Sequence, residues 1–229
     1  MGHLQLKISV NSFIRILIVK LNLEIYYMSM KFTETLQFIK EIAIEGDLLE
    51  IGSDRGDGST YVFATLAKNL DRKLFSVDVD KDIIDHNREE FGQLPFSLPV
   101  EFFNQTGEDF LDANKDLKFS IVLLDNFDWD WNPHNTEAHI VAQQTRYREQ
   151  FNLEMSNHQS QATHLKQALK LTNMLTDEAM IVCDDTYWAN EYGTYTGKCG
   201  AVIPYLEILG FAVVLNKDHG VVLIRKNNK

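Results

Sequence analysis

The sequence predicts one α/β domain, in which helices cover both faces of a mostly parallel sheet. Five short apolar runs, each about the length of a buried strand, alternate with stretches of helical spacing, a pattern typical of parallel strands joined by helices. Near the C-terminus two β-rich runs, 211–215 and 221–224, are joined by five residues and indicate an antiparallel hairpin. The 229 residues, 45% of them hydrophobic, suffice for one substantial core, and no Pro-rich or Ser-rich linker divides them.

The predicted elements follow one another along the chain. A first helix is predicted within 33–45, where apolar residues recur at helical spacing and Gly46 then provides a stop signal. After it the period changes, and buried-strand runs are separated by amphipathic stretches. The predicted strands are 48–51, 74–77, 100–103, 121–124 and 180–183, and the predicted helices are 59–70, 81–91 and 164–175.

Residues 1–30 are interpreted as an N-terminal extension that packs loosely or not at all, and 31–229 as the domain. Within the extension Arg15, Lys20 and Glu24 break the apolar run into pieces much shorter than a bilayer span. No transmembrane helix is therefore predicted, and the functional residues are expected in the domain.

The chain is acidic, with a formal net charge of -11 and a sequence pI near 5.0. Nucleic-acid binders need a basic face, so this balance argues against a nucleic-acid partner and favours a small-molecule substrate.

The two cysteines, Cys183 and Cys199, form neither a disulfide framework nor a zinc motif, and we expect free thiols in a cytoplasmic protein with no membrane partner. The oligomeric state is left open, with a homo-oligomer as one alternative.

The most informative segment is a buried strand that runs directly into a glycine-rich turn and then into a helix. Glu50 lies near the carboxyl end of the strand, where open α/β sheets bind ligands. The glycines let the backbone approach a ligand closely, and the amides at the start of the helix can hold an anionic group. The predicted binding set of this segment is Glu50, Gly52, Ser53, Gly56, Gly58 and Ser59.

A second acidic residue ends the next predicted strand. Asp78 follows the run 74–77, a little over twenty residues after the turn, where a ribose would need an acceptor for its hydroxyl groups. Asp80 is more simply explained as the cap of the following helix. The two acidic strand ends together predict a site for a nucleoside-containing cofactor.

With these residues the chain resembles the class I S-adenosylmethionine (SAM) dependent methyltransferases over about residues 31–229, and among them the small-molecule O-methyltransferases. The resemblance implies a Rossmann-like fold whose seven-stranded, mostly parallel sheet ends in an antiparallel hairpin. It implies that Glu50 stabilises the cationic half of SAM and Asp78 binds the ribose. It also places the adenine near 106–109, which adds Glu108 to the cofactor-binding residues, and Asp125 near the methyl donor.

Three carboxylates are expected to meet at the carboxyl edge of the sheet. Asp125 follows the fourth predicted strand, and Asp184 and Asp185 follow the fifth. Like charges gathered in this way usually hold a cation, and an all-oxygen set suits Mg²⁺. Metal-dependent O-methyltransferases carry a similar Asp and Asp-Asp pair, so the resemblance implies a Mg²⁺ ion that binds the acceptor hydroxyls.

The candidate catalytic residues are Asp125, Asp128 and His158. Catechol-type members of the family have a lysine three residues after the fourth-strand Asp, but this sequence has Asp128 there. The closer resemblance is to sugar-modifying members, in which an Asp or a His takes the proton. Aromatic residues mixed with Asp, Asn and His over 128–134, followed by Tyr147 and Phe151, indicate a pocket for a carbohydrate or polyol.

Two alternatives of other classes remain open. The three glycines also match the GxxxGxG spacing of NAD(P)-dependent short-chain dehydrogenases, but the Tyr-x-x-x-Lys pair of that family is expected after the fourth strand. Here that spacing occurs only at Tyr27 and Lys31, before the glycine turn. The second alternative is a non-catalytic SAM-binding or metal-binding module. The methyl acceptor cannot be deduced from the sequence.

Overall fold

The computed structural model describes residues 35–53, 58–130 and 138–226. A short 3-10 helix, Leu36–Glu41, comes first. The strands are β1 (Asp47–Ile51), β2 (Leu74–Asp78), β3 (Val100–Asn104), β4 (Phe119–Leu124), β5 (Leu175–Cys183), β6 (Thr186–Ala189), β7 (Thr194–Gly197), β8 (Ala212–Lys217) and β9 (Gly220–Arg225). The helices are α1 (Ser59–Leu70), α2 (Lys81–Gln93), α3 (Gly107–Ala113), α4 (Ala138–Phe151), α5 (Asn157–Leu171) and α6 (Val202–Ile208).

Seven strands form one sheet in the order β3-β2-β1-β4-β5-β9-β8. Strands β1 to β5 pair in parallel, whereas β9 is antiparallel to both β5 and β8. The predicted C-terminal hairpin is therefore confirmed. Its turn residues Asp218 and His219 have φ of 51° and 59°, the left-handed backbone that a two-residue hairpin turn requires.

Alternate residues of the central strands feed two separate hydrophobic cores, one on each face of the sheet. In β1, Leu49 and Ile51 belong to the core that contains Phe110 of α3 and Leu171 of α5, while Leu48 belongs to the core that contains α1. Because successive side chains of a strand point to opposite faces, strands buried on both sides must be apolar throughout. This explains why these strands appear in the sequence as continuous apolar runs.

The structure differs from the predicted elements in several places. The helix predicted over 164–175 ends at Leu171, and Leu175 already pairs with Phe119 as the first residue of β5. The helix predicted within 33–45 is a 3-10 helix of six residues. Strands β6 and β7 form a separate two-stranded hairpin that was not predicted.

The interpretation of 1–30 as an extension falls outside the described residues. Among those that the structure describes, no helix combines the length and the hydropathy needed to cross a bilayer.

Candidate functional site

A cavity of about 560 Å³ opens at the carboxyl ends of β1, β2 and β4. This is the point where the sheet order reverses, since β1 lies between β2 on one side and β4 on the other, and such points are where α/β sheets bind ligands. Its wall includes Gly52, Ser53, Asp78, Asp80, Gln105, Glu108, Asp125, Asn126, Phe127, Asp128, Gln143, Arg146, Tyr147, Phe151, Gln159, Thr163, Lys166 and Lys198.

Gly52 forms part of this wall where the chain leaves β1. Its φ is 95°, and a Cβ atom built on it would lie 2.4 Å from the backbone nitrogen of Asn126. Its N–H donates to the carbonyl of Val77 at 2.8 Å. Only glycine fits this position, because the turn after β1 passes against the turn after β4. Of the other two glycines of the motif, Gly58 is the N-cap of α1, and Gly56 lies outside the described residues.

Asp78 and Ser53 come together at the cavity, as the sequence led us to expect. The carboxylate of Asp78 accepts hydrogen bonds from the backbone N–H of Ser53 at 3.0 Å and of Asp80 at 2.7 Å. Burial raises the pKa of Asp78 to about 7, the hydrogen bond from Ser53 opposes this shift, and the negative charge of Asp128 adds to it. A ligand hydroxyl that donates to this carboxylate would therefore favour its ionised form.

Asp80 caps α2, which confirms the sequence interpretation. Its carboxylate accepts a hydrogen bond from the backbone N–H of Asp82 at 2.9 Å. It also forms an ion pair with the guanidinium of Arg146 in α4. The pair ties α4 to the end of β2, and so helps to close the cavity on that side.

Glu50 is not among the described residues that line the cavity, and its expected role beside the cationic half of SAM stays a prediction. Its side chain is fully buried and accepts hydrogen bonds from the hydroxyls of Ser59 at 2.6 Å and Ser76 at 2.7 Å. Burial raises the pKa of Glu50 to about 7 against these hydrogen bonds, which lower it. Ser59 is likewise buried, and its hydrogen bond to Glu50 anchors the start of α1 to the sheet.

The three predicted metal ligands lie together. One carboxylate oxygen from each of Asp125, Asp184 and Asp185 lies within 4.8 Å of the others, and we call these three residues the acidic cluster. The oxygen donors fit Mg²⁺ in kind and in spacing. Of the three residues, however, only Asp125 lines the cavity.

A lysine that the sequence analysis missed lies against the acidic cluster. The Nζ atom of Lys198 is 2.7 Å from an oxygen of Asp125 and 3.1 Å from an oxygen of Asp185. Burial lowers the pKa of Lys198, but the charges of Asp125 and Asp185 together outweigh burial, so the pKa is raised above its ordinary value. The residues present thus hold an ammonium ion against two of the three expected metal ligands.

The signal for Lys198 in the sequence is weak. It follows β7 in the unpredicted hairpin, where Gly197 has φ of 91° and a Cβ on it would lie 1.9 Å from the carbonyl oxygen of Asp185. The backbone N–H of Lys198 donates to that same carbonyl at 2.9 Å. A glycine before a lone lysine and the small residues that follow was the only hint of this buried position.

Asp128 is at the cavity beside two aromatic rings. Its backbone N–H donates to the hydroxyl of Tyr147 at 2.9 Å, and the rings of Phe127 and Tyr147 lie 4.9 Å apart between centroids. Burial raises the pKa of Tyr147, so its hydroxyl stays protonated. Phe127 has φ of 59°, which is unusual for a bulky residue and occurs mostly at functional sites.

Of the histidines that the structure describes, His158 and His164 do not line the cavity. His158 is exposed near the start of α5, whereas Gln159 and Thr163, four residues apart on one helix face, line the wall. His158 as a candidate base stays a prediction. His164 is fully buried, with Nδ1 2.8 Å from the carbonyl of Ser160, and burial lowers its pKa to about 3.

Glu108 lies on the opposite side of the cavity, where the adenine was expected. Its carboxylate accepts a hydrogen bond from the side-chain amide of Gln167 at 3.0 Å. Gly107 beside it allows α3 to approach β1, because a Cβ there would lie 2.5 Å from a methyl group of Ile51. The structure thus brings Ser53, Asp78 and Glu108 to one cavity with Asp125 and Asp128.

Known structures resemble this chain at low identity. A candidate caffeoyl-CoA O-methyltransferase from Staphylococcus aureus is 14% identical and superposes with a TM-score of 0.55, covering 93% of this chain and 92% of that one. N-methyltransferase NodS from Bradyrhizobium japonicum, in complex with S-adenosylhomocysteine (SAH), is 14% identical, with a TM-score of 0.51 and 87% of each chain covered. A candidate methyltransferase from Streptococcus mutans, also in complex with SAH, is 15% identical, with a TM-score of 0.50, covering 83% of this chain and 94% of that one.

No protein-family model and no curated protein matches the sequence. The identities to the solved structures are low, so the likeness speaks for the fold. The sheet order and the C-terminal antiparallel strands agree with it. The chain therefore has the Rossmann-like α/β fold of these SAM-dependent methyltransferases.

Proposed function

We propose that this protein transfers a methyl group from SAM to an oxygen atom of a small polar acceptor. The observation that carries the proposal is the single cavity into which Ser53 and Asp78 project from one side and Asp125 and Asp128 from another. The fold supports SAM as the cofactor, because two of the solved structures that share it hold SAH. In this arrangement Asp78 would accept hydrogen bonds from the ribose of SAM.

The charges of the cavity favour SAM over a dinucleotide. Among the described residues of its wall, the carboxylates outnumber the cationic side chains, and one of the latter, Arg146, is already paired with Asp80. A sulfonium ion carries a positive charge that such a wall attracts, whereas the pyrophosphate of NAD(P) carries two negative charges that it repels. The dehydrogenase alternative is for this reason not favoured.

The transfer itself needs a positioned acceptor and a site for one proton. The acceptor oxygen attacks the methyl carbon, a C–O bond forms as the C–S bond breaks, and SAH leaves without charge. We assign the hydroxyl proton to Asp128, because an oxygen of Asp125 is already paired with Lys198. Holding the two reactants in line is the main contribution a protein can make to such a step.

The far wall of the cavity fits a hydroxyl-bearing acceptor. Tyr147 and Phe151 offer aromatic surface, and Gln143, Gln159 and Thr163 offer polar groups that can bind hydroxyls. Positive charge beside the reacting oxygen would stabilise it as its proton leaves. The sequence predicted Mg²⁺ for that task, and Lys198 places an ammonium at the same edge of the cavity.

Calorimetric titration with SAM, SAH and NAD tests this proposal. We expect SAM and SAH to bind at micromolar concentrations and NAD not to bind. Asp78→Asn should weaken SAH binding by about tenfold or more, since loss of one hydrogen bond to a charged group costs about 1.5–3 kcal/mol.

The matched control is Asp112→Asn, the same change at an exposed carboxylate that pairs with Lys170 on the surface. This variant should bind SAH as the unchanged protein does. Binding of NAD by a folded protein that ignores both SAM and SAH would refute the proposal. Binding of SAH without methylation of any hydroxylated acceptor would leave only a SAM-binding module.

A further inference from the structure

We propose that Lys198 is the resident cation of the acidic cluster and that the protein works without a divalent metal ion. Lys198 is then a positioning residue, which holds Asp125 in place at the cavity wall. The inference deepens the proposed function and rests on it for what the cluster does to an acceptor. Its test, however, measures cation binding, which does not depend on methyl transfer.

The ammonium group of Lys198 lies between two carboxylates of the acidic cluster. Nζ of Lys198 lies 2.7 Å from Asp125 and 3.1 Å from Asp185, so it already occupies the space between these two carboxylates. A Mg²⁺ ion bound to the same oxygens would lie about 2.1 Å from each, and thus directly against a second positive charge. The cluster can hold one of the two cations, but not both.

The charged groups of the cluster differ in whether they line the cavity. Lys198 and Asp125 line the cavity, whereas Asp184 and Asp185 do not. A metal ion shared by the three carboxylates would therefore be held mainly by residues that do not line the cavity. The positive charge that the cavity presents at this edge is the ammonium.

Lys198 is buried, and hydrogen bonds fix its backbone. Its side chain is only 6% exposed, and among the residues that the structure describes it is the one buried lysine. The backbone is fixed on both sides, because the N–H of Lys198 donates to the carbonyl of Asp185 and that of Cys199 donates to the hydroxyl of Thr186 at 3.0 Å. The backbone that carries the side chain is thus held beside the cluster.

These contacts give Lys198 the task that sequence analysis assigned to a metal. It neutralises part of the cluster, orients Asp125 towards the cavity and supplies fixed positive charge beside the acceptor. Removal of the ammonium would leave three carboxylates facing one another, which is a site that divalent cations fill. A variant without the ammonium should therefore acquire the metal site that the native protein does not have.

The experiment measures binding of Mn²⁺, a paramagnetic substitute for Mg²⁺, by electron spin resonance of the free ion. We expect the unchanged protein to bind no Mn²⁺ at millimolar concentrations, and Lys198→Met to bind one ion at least about tenfold more tightly. Adding Asp184→Asn to Lys198→Met should abolish that gain. Lys198→Arg, which keeps the charge, should bind no Mn²⁺.

The matched control is Lys170→Met, which removes an exposed lysine paired with Asp112 at 2.7 Å and should acquire no site. Two results would overturn the inference: one Mn²⁺ bound to the unchanged protein and lost in Asp184→Asn, or a folded Lys198→Met that binds none. If Lys198→Met does not fold, the comparison of Mn²⁺ binding by the unchanged protein and by Asp184→Asn still tests the inference. Failure of SAH to bind would overturn the proposed function alone.

Discussion

Glu50 is a fully buried carboxylate that links a helix to the sheet next to the cavity. Its oxygens hold the hydroxyl of Ser59, the first residue of α1, and that of Ser76 in β2. A helix start that carries a glycine turn is thereby fixed to the sheet beneath the cavity. The arrangement costs stability once Glu50 is ionised, because burial raises its pKa from 4.5 to about 7.

This raised pKa predicts the direction of a pH effect. Between pH 4.5 and 7 the folded protein retains a proton on Glu50 that the unfolded chain releases, so this residue makes the protein less stable as the pH rises. Glu50→Gln cannot ionise and keeps the hydrogen-bonded shape. Its stability relative to the unchanged protein should therefore rise from pH 5 to pH 8, by up to about 3 kcal/mol at 1.36 kcal/mol per pKa unit.

Urea unfolding of both proteins at pH 5, 6, 7 and 8 measures this difference. Asp112→Asn serves as the control, since its carboxylate is exposed and its pKa is lowered by Lys170, so it should show no such gain with pH. Parallel pH profiles for Glu50→Gln and the unchanged protein would contradict the assignment of the raised pKa to Glu50.

Single residues also show what the sequence could and could not predict. Asp78 and Asp125 were identifiable because each ends a continuous apolar run, and parallel strands end at one edge. The burial of Glu50 was also encoded, since Glu50 and Leu48 are two residues apart and share the face that packs on α1. Lys198 was not identifiable, because it reaches Asp125 across 73 positions of the chain.

At the scale of elements, the site depends on how closely the turns after β1 and β4 approach each other. The N–H of Asp125 donates to the carbonyl of Ile51 at 2.9 Å, and Gly52 leaves no room for a side chain beside Asn126. The two turns carry Ser53 on one side and Asp125 on the other. Any separation of the turns would therefore move both halves of the cavity.

Gly52→Ala tests this close approach. The added Cβ meets backbone atoms of Asp125 and Asn126 at 2.5 and 2.4 Å, and a φ of 95° is unfavourable for alanine. We expect a loss of stability of about 2 kcal/mol or more, together with weaker SAH binding. Denaturant unfolding and calorimetry on the same preparations measure both effects.

Gly92→Ala is the matched control, because Gly92 lies in α2 and a Cβ on it meets nothing within 4 Å. That change should stabilise the protein by up to about 1 kcal/mol, as alanine is the better helix former. Equal behaviour of the two variants would show that the turns have room to spare.

Elements differ in how plainly the sequence reveals them. Helix α1 was predicted to the residue, and the central parallel strands were found because burial on both faces makes them largely apolar. The first residue of β5, Leu175, was assigned to a helix, and the start of the strand was missed because Thr176, Asp177 and Glu178 interrupt the apolar run. The β6–β7 hairpin was missed because its four-residue strands mix polar and aromatic residues and carry no clear alternation.

At the scale of the whole molecule, the order of the strands creates the cavity. Alternation of strands and helices in the sequence predicts a parallel sheet, but not which strand lies beside which. The resemblance to methyltransferases implied seven strands that end in an antiparallel hairpin, and the order of the strands is seen only in the structure. The position of α4 and α5 over the cavity was not predictable, because their contacts depend on tertiary pairs such as that of Arg146 with Asp80.

The burial of the first described residues predicts where the chain can be shortened. The core on the α1 face includes Leu36, Ile39 and Ile42 from the 3-10 helix, which are 2%, 9% and 7% exposed. Removal of residues 1–30 leaves these three side chains in place. Removal of residues 1–45 takes them away, at a cost of roughly 5 kcal/mol if each buried side chain contributes about 1.5–3 kcal/mol.

We therefore expect a chain that begins at residue 31 to unfold at the same urea concentration as the full chain and to bind SAH equally well. A chain that begins at residue 46 should lose most of its stability, because typical domains are stable by only about 5–15 kcal/mol. The comparison rests on burial, which decides whether a terminal segment can be removed. A chain from residue 31 as unstable as the shorter one would show that residues 1–30 belong to the fold, and the domain would then have to be drawn from its first residue.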